Sequence, residues 1–199
     1  GFTLPDRWQG ARAAHIESHH KSQVFLTLGW KFPVSGAEDY FALLVLNTLL
    51  GAGYSSLFNA TLREKENLTY LCTTRLNLYG ETGVFKIGLS LADRNLERAL
   101  AVIDSLLADV GAGRIPAELF RDAVTRHAAN LVFRMEDSLE TARLLGHSLA
   151  REGRPFSFED YFRGLEAVDP ARACALAARH WTPETRRTVL LTGSREASR

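Results

Sequence analysis

Residues 68–92 constrain the fold most. Two runs, "LTYLCTTRLNLY" and "GVFKIGLSLA", alternate polar with apolar residues and meet at "GETG". Period-two alternation marks half-buried strands, and a glycine-rich turn this short joins only antiparallel neighbours. Such a hairpin must lay its apolar face on something. An earlier run, "QVFLTLGWKF", supplies a third half-buried strand, with Val24, Leu26, Leu28, Trp30 and Phe32 on one face.

The remainder is mostly helical in pattern. "FPVSG" breaks the early strand, Ser35 helps start the next element, and "AEDYFALLVLNTLL" is a strongly apolar helix ended by Gly51 and Gly53. Ser55 and Ser56 are N-cap candidates for a second helix, "SLFNATLREKE". Leu96, Ala99, Leu100, Ile103, Leu106, Leu107 and Val110 trace the 3.6-residue stripe of a surface helix. After "VGAGRIP", with Pro116 fitting a first helical turn, a further helix keeps Phe120, Ala123, Val124, His127, Ala128 and Leu131 on one face. Its pattern runs on, kinked near "RMEDS", to about Arg151. Two shorter helices follow, "FSFEDYFRGLEAV" and "DPARACALAARHW", the second opened by Asp169 and Pro170, and "RRTVLLTG" closes as a strand. Including a loosely alternating strand from Arg12 to Glu17, the order is strand, strand, helix, helix, strand, strand, several helices, strand. Hairpins mixed with helix runs predict an α+β fold, a two-layer domain of antiparallel sheet packed against helices. No linker, repeat or low-complexity tract divides the chain, so residues 1–199 read as a single domain with a core of about 12–193.

Composition bears on function mainly by exclusion. A net charge of +1 gives no electrostatic reason to expect nucleic acid or an anionic membrane. The longest apolar run, in "YFALLVLNTLLGAG", is too short and interrupted for a transmembrane segment. The opening "GFTLPDRWQG" has neither the basic region nor the apolar stretch of a signal peptide, and with a start at Gly1 rather than Met nothing more is read from it. Cys72 and Cys174, the two cysteines, are either a pair or two buried small residues. Sequons at Asn59 and Asn67 carry little weight, being short patterns.

Metal chemistry is raised by "ARAAHIESHHKSQ". His15 and His19 are four apart with Glu17 midway, and His20 follows. Zinc peptidase motifs need the glutamate beside one histidine, on a helix that puts both imidazoles on one face. Here the glutamate points away on a helix, and the surroundings read as strand. His127, His147 and His180 lack the spacing too. No complete zinc motif exists in this chain.

The chemistry rests on "GAGYSSLFNATLREKENLTY", residues 51–70. A phosphate loop is excluded, since no Gly-Lys-Ser/Thr ending is present and no strand precedes the glycines. The segment reads as a helix stopping at Asn67, a residue that tolerates the left-handed conformation of many helix ends. Arg63 then lies in the last helical turns and Tyr70 at the start of the next strand. A guanidinium and a phenol are both hydrogen-bond donors, suited to stabilising charge on a peptide carbonyl oxygen. The alternative is that Arg63 complements the helix C-terminus or pairs with Glu64 or Glu66, with Tyr70 a half-buried strand residue.

This segment resembles the signature of the second homologous domain of pitrilysin/insulinase-type zinc metallopeptidases, which include mitochondrial processing peptidase. Leu62, Arg63, Glu64, Lys65, Leu68 and Tyr70 stand at matching positions. The likeness extends over residues 12–193, through "SQVFLTLGW", "EDYFALLVLNTLLGAG", "GVFKIGLSL", "PAELFRDAVTRHAANLVFRMEDSLETARLLG", "YFRGLEAVDPARACALAARHW" and "TVLLTG" in the family's order. It implies the C-terminal, non-zinc-binding half of a larger two-domain peptidase chain. Zinc would come from a catalytic domain in cis or a partner subunit, the assembly would be a dimer, and the substrate a peptide or unfolded polypeptide. It also implies that Arg63 and Tyr70, seven residues apart, hold the substrate carbonyl, with no catalytic residue or metal ligand of this chain's own. A bacterial periplasm or envelope location is implied by resemblance alone. The alternative within the same fold is a catalytically silent structural subunit. The chain departs from many relatives at Leu57, where they have arginine, and at Asn67, where they have glycine.

Overall fold

The computed structural model describes residues 12–18, 23–79 and 81–193. Five strands form one sheet: β1 (Arg12–Ser18), β2 (Val24–Pro33), β3 (Thr69–Tyr79), β4 (Thr82–Leu91) and β5 (Arg187–Gly193), in the order β1-β5-β2-β4-β3. The hairpin is present as expected, β3 pairing antiparallel with β4 from Tyr79↔Thr82 outward. β2 is antiparallel to both β4 and β5. One strand departs from the expected antiparallel sheet. β1 adds to the outer edge of β5 in parallel, Arg12 opposite Arg187 and Ser18 opposite Gly193.

Alternation sets which face is covered. Val24, Leu26, Leu28, Trp30 and Phe32 of β2 are all buried, as are Phe85, Ile87, Leu89 and Leu91 of β4. Onto this face pack α1 (Gly36–Gly51), α2 (Leu96–Gly111) and α6 (Pro170–His180), with α3 (Ala117–Arg134) and α5 (Phe158–Glu166) against α1. α1 buries Ala42, Leu43, Val45, Leu46, Leu49 and Leu50 on one side and Thr48 and Gly51 on the other, as a helix between sheet and outer helices must. At the layer centre the Phe85 ring stacks on Trp181 with centroids 4.1 Å apart, and Trp30 lies 5.9 Å from Phe85. The Trp30 indole N–H donates to the Thr182 carbonyl at 2.8 Å, joining β2 to the segment before β5.

The long helix expected to kink near "RMEDS" is instead two helices, α3 and α4 (Ser138–Glu152). Asp137 separates them, its carboxylate accepting from the backbone N–H groups of Leu139 (2.7 Å) and Glu140 (3.2 Å). An N-cap here satisfies orphan donors that a continuing helix would bond to its own carbonyls. α6 opens as expected, the Asp169 carboxylate accepting from Ala171 N–H at 2.9 Å with Pro170 in the first turn. Cys72 and Cys174 are both free and buried.

Candidate functional site

The segment carrying Arg63 and Tyr70 departs from regular geometry three times between Gly51 and Leu71, each with a local cause. First, α1 ends hard against β3. A Cβ on Gly51 would lie 2.1 Å from Thr74 Cγ2, so glycine alone permits this approach. The loop then folds inward. The Ser56 hydroxyl donates to Gly53 O at 2.7 Å, and the buried Asn59 amide reaches Gly53 O (3.1 Å), Ser56 Oγ (3.1 Å) and Cys72 O (3.3 Å). Asn59 thereby pins the loop and the helix to β3, and its sequon is sealed inside.

Ser55 and Ser56 do not cap an α-helix as expected. Residues Asn59–Lys65 form a π-helix, wide enough to accommodate that pinning while burying both Phe58 and Leu62. Its end is correspondingly broad, with Glu66 N–H donating to Thr61 O at 3.0 Å and Leu68 N–H to Leu62 O at 2.8 Å. Asn67 makes the reversal in the left-handed region at φ 50, the conformation its side chain tolerates. Substituting Asn67 with alanine is therefore expected to cost about 1–2 kcal/mol, while Asn67→Gly should be neutral or mildly stabilising. Urea midpoints of the two variants check this; equal midpoints would remove the conformational reason for Asn67.

The third departure is a β-bulge. Thr69 pairs with Leu91 and Leu71 with Ser90, leaving Tyr70 as the extra residue. The Thr69 hydroxyl fixes the bulge, lying 2.7 Å from Leu71 O and 2.8 Å from Ser90 O. The bulge breaks alternation, so Tyr70 and Leu71 are both exposed, at 64% and 55%. Arg63 is half-exposed, its guanidinium 5.2 Å from the centroid of the Tyr54 ring and its Nε 3.5 Å from Glu64. Glu66 does not compete for Arg63, being held bidentately by Arg98 at 2.9–3.1 Å. Among the described residues neither the Arg63 guanidinium nor the Tyr70 hydroxyl makes a hydrogen bond, and none joins the two. The backbone bond from Leu68 to Leu62 ties the residue before Arg63 to the one two before Tyr70. Tyr54, the aromatic platform under Arg63, was not singled out from the sequence; no spacing rule links positions nine apart across a loop.

No three His, Cys, Asp or Glu side chains converge on a metal position among the described residues. His15 and Glu17 lie on β1, in register with Leu190 and Thr192, while His19 and His20 lie outside the described residues. His127 is committed elsewhere, 2.9 Å from Thr48 Oγ1 and 2.8 Å from the Tyr161 hydroxyl. His180 stacks on Phe32, centroids 5.6 Å apart. Burial pushes the Cys72 thiol up to about 12, which keeps it protonated and unfit as a ligand or nucleophile. The donor sets among the described residues do not fit zinc.

The chain matches the peptidase M16 inactive domain over residues 5–126, more than half its length, and belongs to that family. A relative described as an uncharacterized zinc protease of Mycobacterium tuberculosis is 28% identical over 171 residues, covering 86% of this chain and 39% of the relative. The chain thus spans about two fifths of the curated relatives it matches. An M16-like peptidase from Alicyclobacillus acidocaldarius superposes with a TM-score of 0.76 at 20% identity, covering 92% of this chain and 44% of that one. The periplasmic protease PqqL of Escherichia coli gives 0.71 at 12% identity, with 92% and 21% covered. At these identities the two structures bear on the fold alone, an α+β domain of the expected kind. No helix of the described residues is long and apolar enough to cross a membrane.

Proposed function

We propose that this chain is the substrate-binding, non-catalytic domain of a zinc metalloendopeptidase, with Arg63 and Tyr70 donating hydrogen bonds to a peptide carbonyl near the scissile bond. The observation that carries the reading is the bulge at Tyr70. A bulge re-aims a side chain at a cost in ladder hydrogen bonding, and here it turns a phenol outward with no internal partner. The π-helix before it supports the same reading, since such segments recur at functional sites. Arg63 is presented similarly. Its contact with Glu64 is long and solvent-exposed, worth about 0–1 kcal/mol, so a substrate carbonyl displaces it at little cost. The Tyr54 ring keeps the guanidinium extended meanwhile.

Zinc, supplied by a domain in the same polypeptide or by a partner subunit, would provide the activated water. This chain's part is to fix the substrate backbone and to strengthen its bonds as negative charge grows on the carbonyl oxygen. The substrate is a peptide or an unfolded polypeptide, because the contacts are to main chain. An envelope location is in keeping with the periplasmic relative of the same fold.

In the complete enzyme, Arg63→Ala and Tyr70→Phe are each expected to lower turnover about 10²- to 10³-fold, as for a lost transition-state donor, with zinc content unchanged. Turnover left intact in a folded variant would overturn the carbonyl role and leave a silent scaffold domain of the same family.

A further inference from the structure

We propose that the open face of the sheet binds acidic stretches of extended polypeptide through a row of unpaired cations, Arg187, Lys86 and Arg75, with Lys31 beside it. The proposal rests on the substrate-binding reading and names the class of substrate. Among the described residues, helices cover one face only. On the other, Thr27, Lys31, Thr73, Arg75 and Val189 are exposed. Register aligns the cations across four strands, Arg187 opposite Gly29, Gly29 opposite Lys86, and Lys86 opposite Arg75. Lys31 follows two residues along β2, on the same face.

Nothing in the four strands that carry them neutralises them. β2, β3, β4 and β5 contain no aspartate or glutamate. Among the described residues none of the four cations is in an ion pair; Arg187 reaches only the carbonyls of Thr185 (3.2 Å) and Arg186 (3.4 Å). Elsewhere most arginines of the described residues are paired, although Lys65, Arg94, Arg121, Arg126 and Arg179 stand in no ion pair either. What sets the row apart is that register brings its cations together. Arg98, Arg134, Arg163 and Arg172 each sit within 3 Å of a carboxylate, and the net charge is only +1. The bare row is therefore not overflow from a basic composition. Like charges directly opposite each other, as Arg75 and Lys86 are, destabilise a sheet, and an anionic ligand removes that cost.

The shape suits an extended chain. Gly29 carries no side chain, so the row is a shallow trough with Arg187 on one side and Lys86 and Arg75 on the other. Side chains on one face of an extended polypeptide running along the strands repeat about every 7 Å, the step from the row of Arg187, Lys86 and Arg75 to the row of Lys31. Arg75 lies on the same strand as Tyr70, about 15 Å further along at the strand rise. Acidic positions would then fall four or five residues from the carbonyl held at Tyr70. Membership of a peptidase family favours polypeptide over polynucleotide as the polyanion.

The test is fluorescence anisotropy of the full-length protein with two labelled peptides of about a dozen residues, identical except for alternating Glu or Gln. At about 0.02 M salt the Glu peptide should bind about tenfold tighter, and most of that advantage should vanish at about 0.3 M, where exposed charges are screened. Arg75→Gln combined with Lys86→Gln should cut the advantage to about twofold; both side chains point away from the core and repel each other across the strands, so thermal unfolding should be unchanged or shifted slightly upward. Equal binding of the two peptides, or an advantage untouched by the double substitution, overturns the proposal. So does a single-stranded oligonucleotide that displaces the Glu peptide at lower concentration, which would identify a nucleic-acid face. Arg63→Ala separates the two readings. If the carbonyl role alone is wrong, Arg63→Ala leaves turnover intact and the Glu advantage remains; if the acidic face alone is wrong, turnover falls and no Glu advantage exists.

Discussion

Phe85→Ala is expected to destabilise the protein by about 3–5 kcal/mol, the largest stability effect of any single substitution considered. Phe85 is fully buried at the centre of β4, and its ring is the slab between two tryptophans, 4.1 Å from Trp181 and 5.9 Å from Trp30 by centroid. Truncation loses the transfer free energy of the ring, leaves a void between rigid indoles that cannot close on it, and removes stacking worth about 0.5–1.5 kcal/mol beyond area. Domains of this kind have total stabilities of about 5–15 kcal/mol. The loss is thus at least about a fifth of the whole and, at the lower total, most or all of it. Urea unfolding measures it, with Phe85→Leu as a control expected to cost markedly less, since it keeps most of the volume. A loss below about 1 kcal/mol for Phe85→Ala would mean that the aromatic stack does not hold the sheet to α6.

Acid should act through His127. Its imidazole joins α1, α3 and α5 through Thr48 and Tyr161. The Thr48 hydroxyl donates to Leu44 O at 3.1 Å, so it accepts from His127 Nδ1–H, and Nε2 in turn accepts from the Tyr161 hydroxyl. The network is complete with the ring neutral. Burial, reinforced by the nearby Arg134 charge, lowers its pKa from 6.5 to about 4. In the unfolded chain the ring protonates near 6.5, in the folded one not until about 4. Stability from this group is therefore fully present above 6.5 and is lost as pH falls from there to 4. A shift of this size corresponds to about 3 kcal/mol. Exposed carboxylates whose pKa is lowered by arginine partners, Glu140 and Asp160 among them, also favour the folded state at neutral pH, so the comparison must be with His127→Gln. Between pH 7 and 4 the wild type should lose about 3 kcal/mol more than that variant. Parallel pH profiles would show that His127 is not the acid-sensitive group.

Much of the fold was legible because its signals are local. The β3–β4 hairpin, β2, α1, α2, α6 and β5 follow from alternation, stripes and caps within a few residues. The break between α3 and α4 is legible too, although the continuing helical pattern predicts only a kink there. Asp137 with Glu140 three residues on is a helix-start signature, and the Asp137 carboxylate uses it. What sequence could not supply is distant. Parallel docking of β1 on β5 is fixed by residues at opposite ends of the chain. The π-helix comes from Asn59 being anchored to Cys72 O, a tertiary contact that overrides an ordinary helical pattern. For the candidate site, Asn67 in the left-handed region and the positions of Arg63 and Tyr70 on either side of it could be read from residue types. The bulge that turns Tyr70 outward could not, because a bulge is a property of two strands. The row of Arg187, Lys86 and Arg75 was hidden for the same reason, since each is an ordinary outward residue until register sets them side by side.

The strand order has a further consequence for how the molecule comes into being. β5, the latest of the five described strands in chain order, is an interior one, lying between β1 and β2. Until Arg187–Gly193 leaves the ribosome, β2 has an unpaired edge with Trp30 lacking its carbonyl partner at Thr182, and β1 has no neighbour to pair with. The hairpin and α1 can assemble early on local contacts, but closure of the sheet waits for β5 and for contacts of large sequence separation, the slow kind. A ribosome stalled shortly before Arg187 would hold a half-built sheet whose open edge is its own most apolar strand, and a chaperone that shields such edges would find its client there.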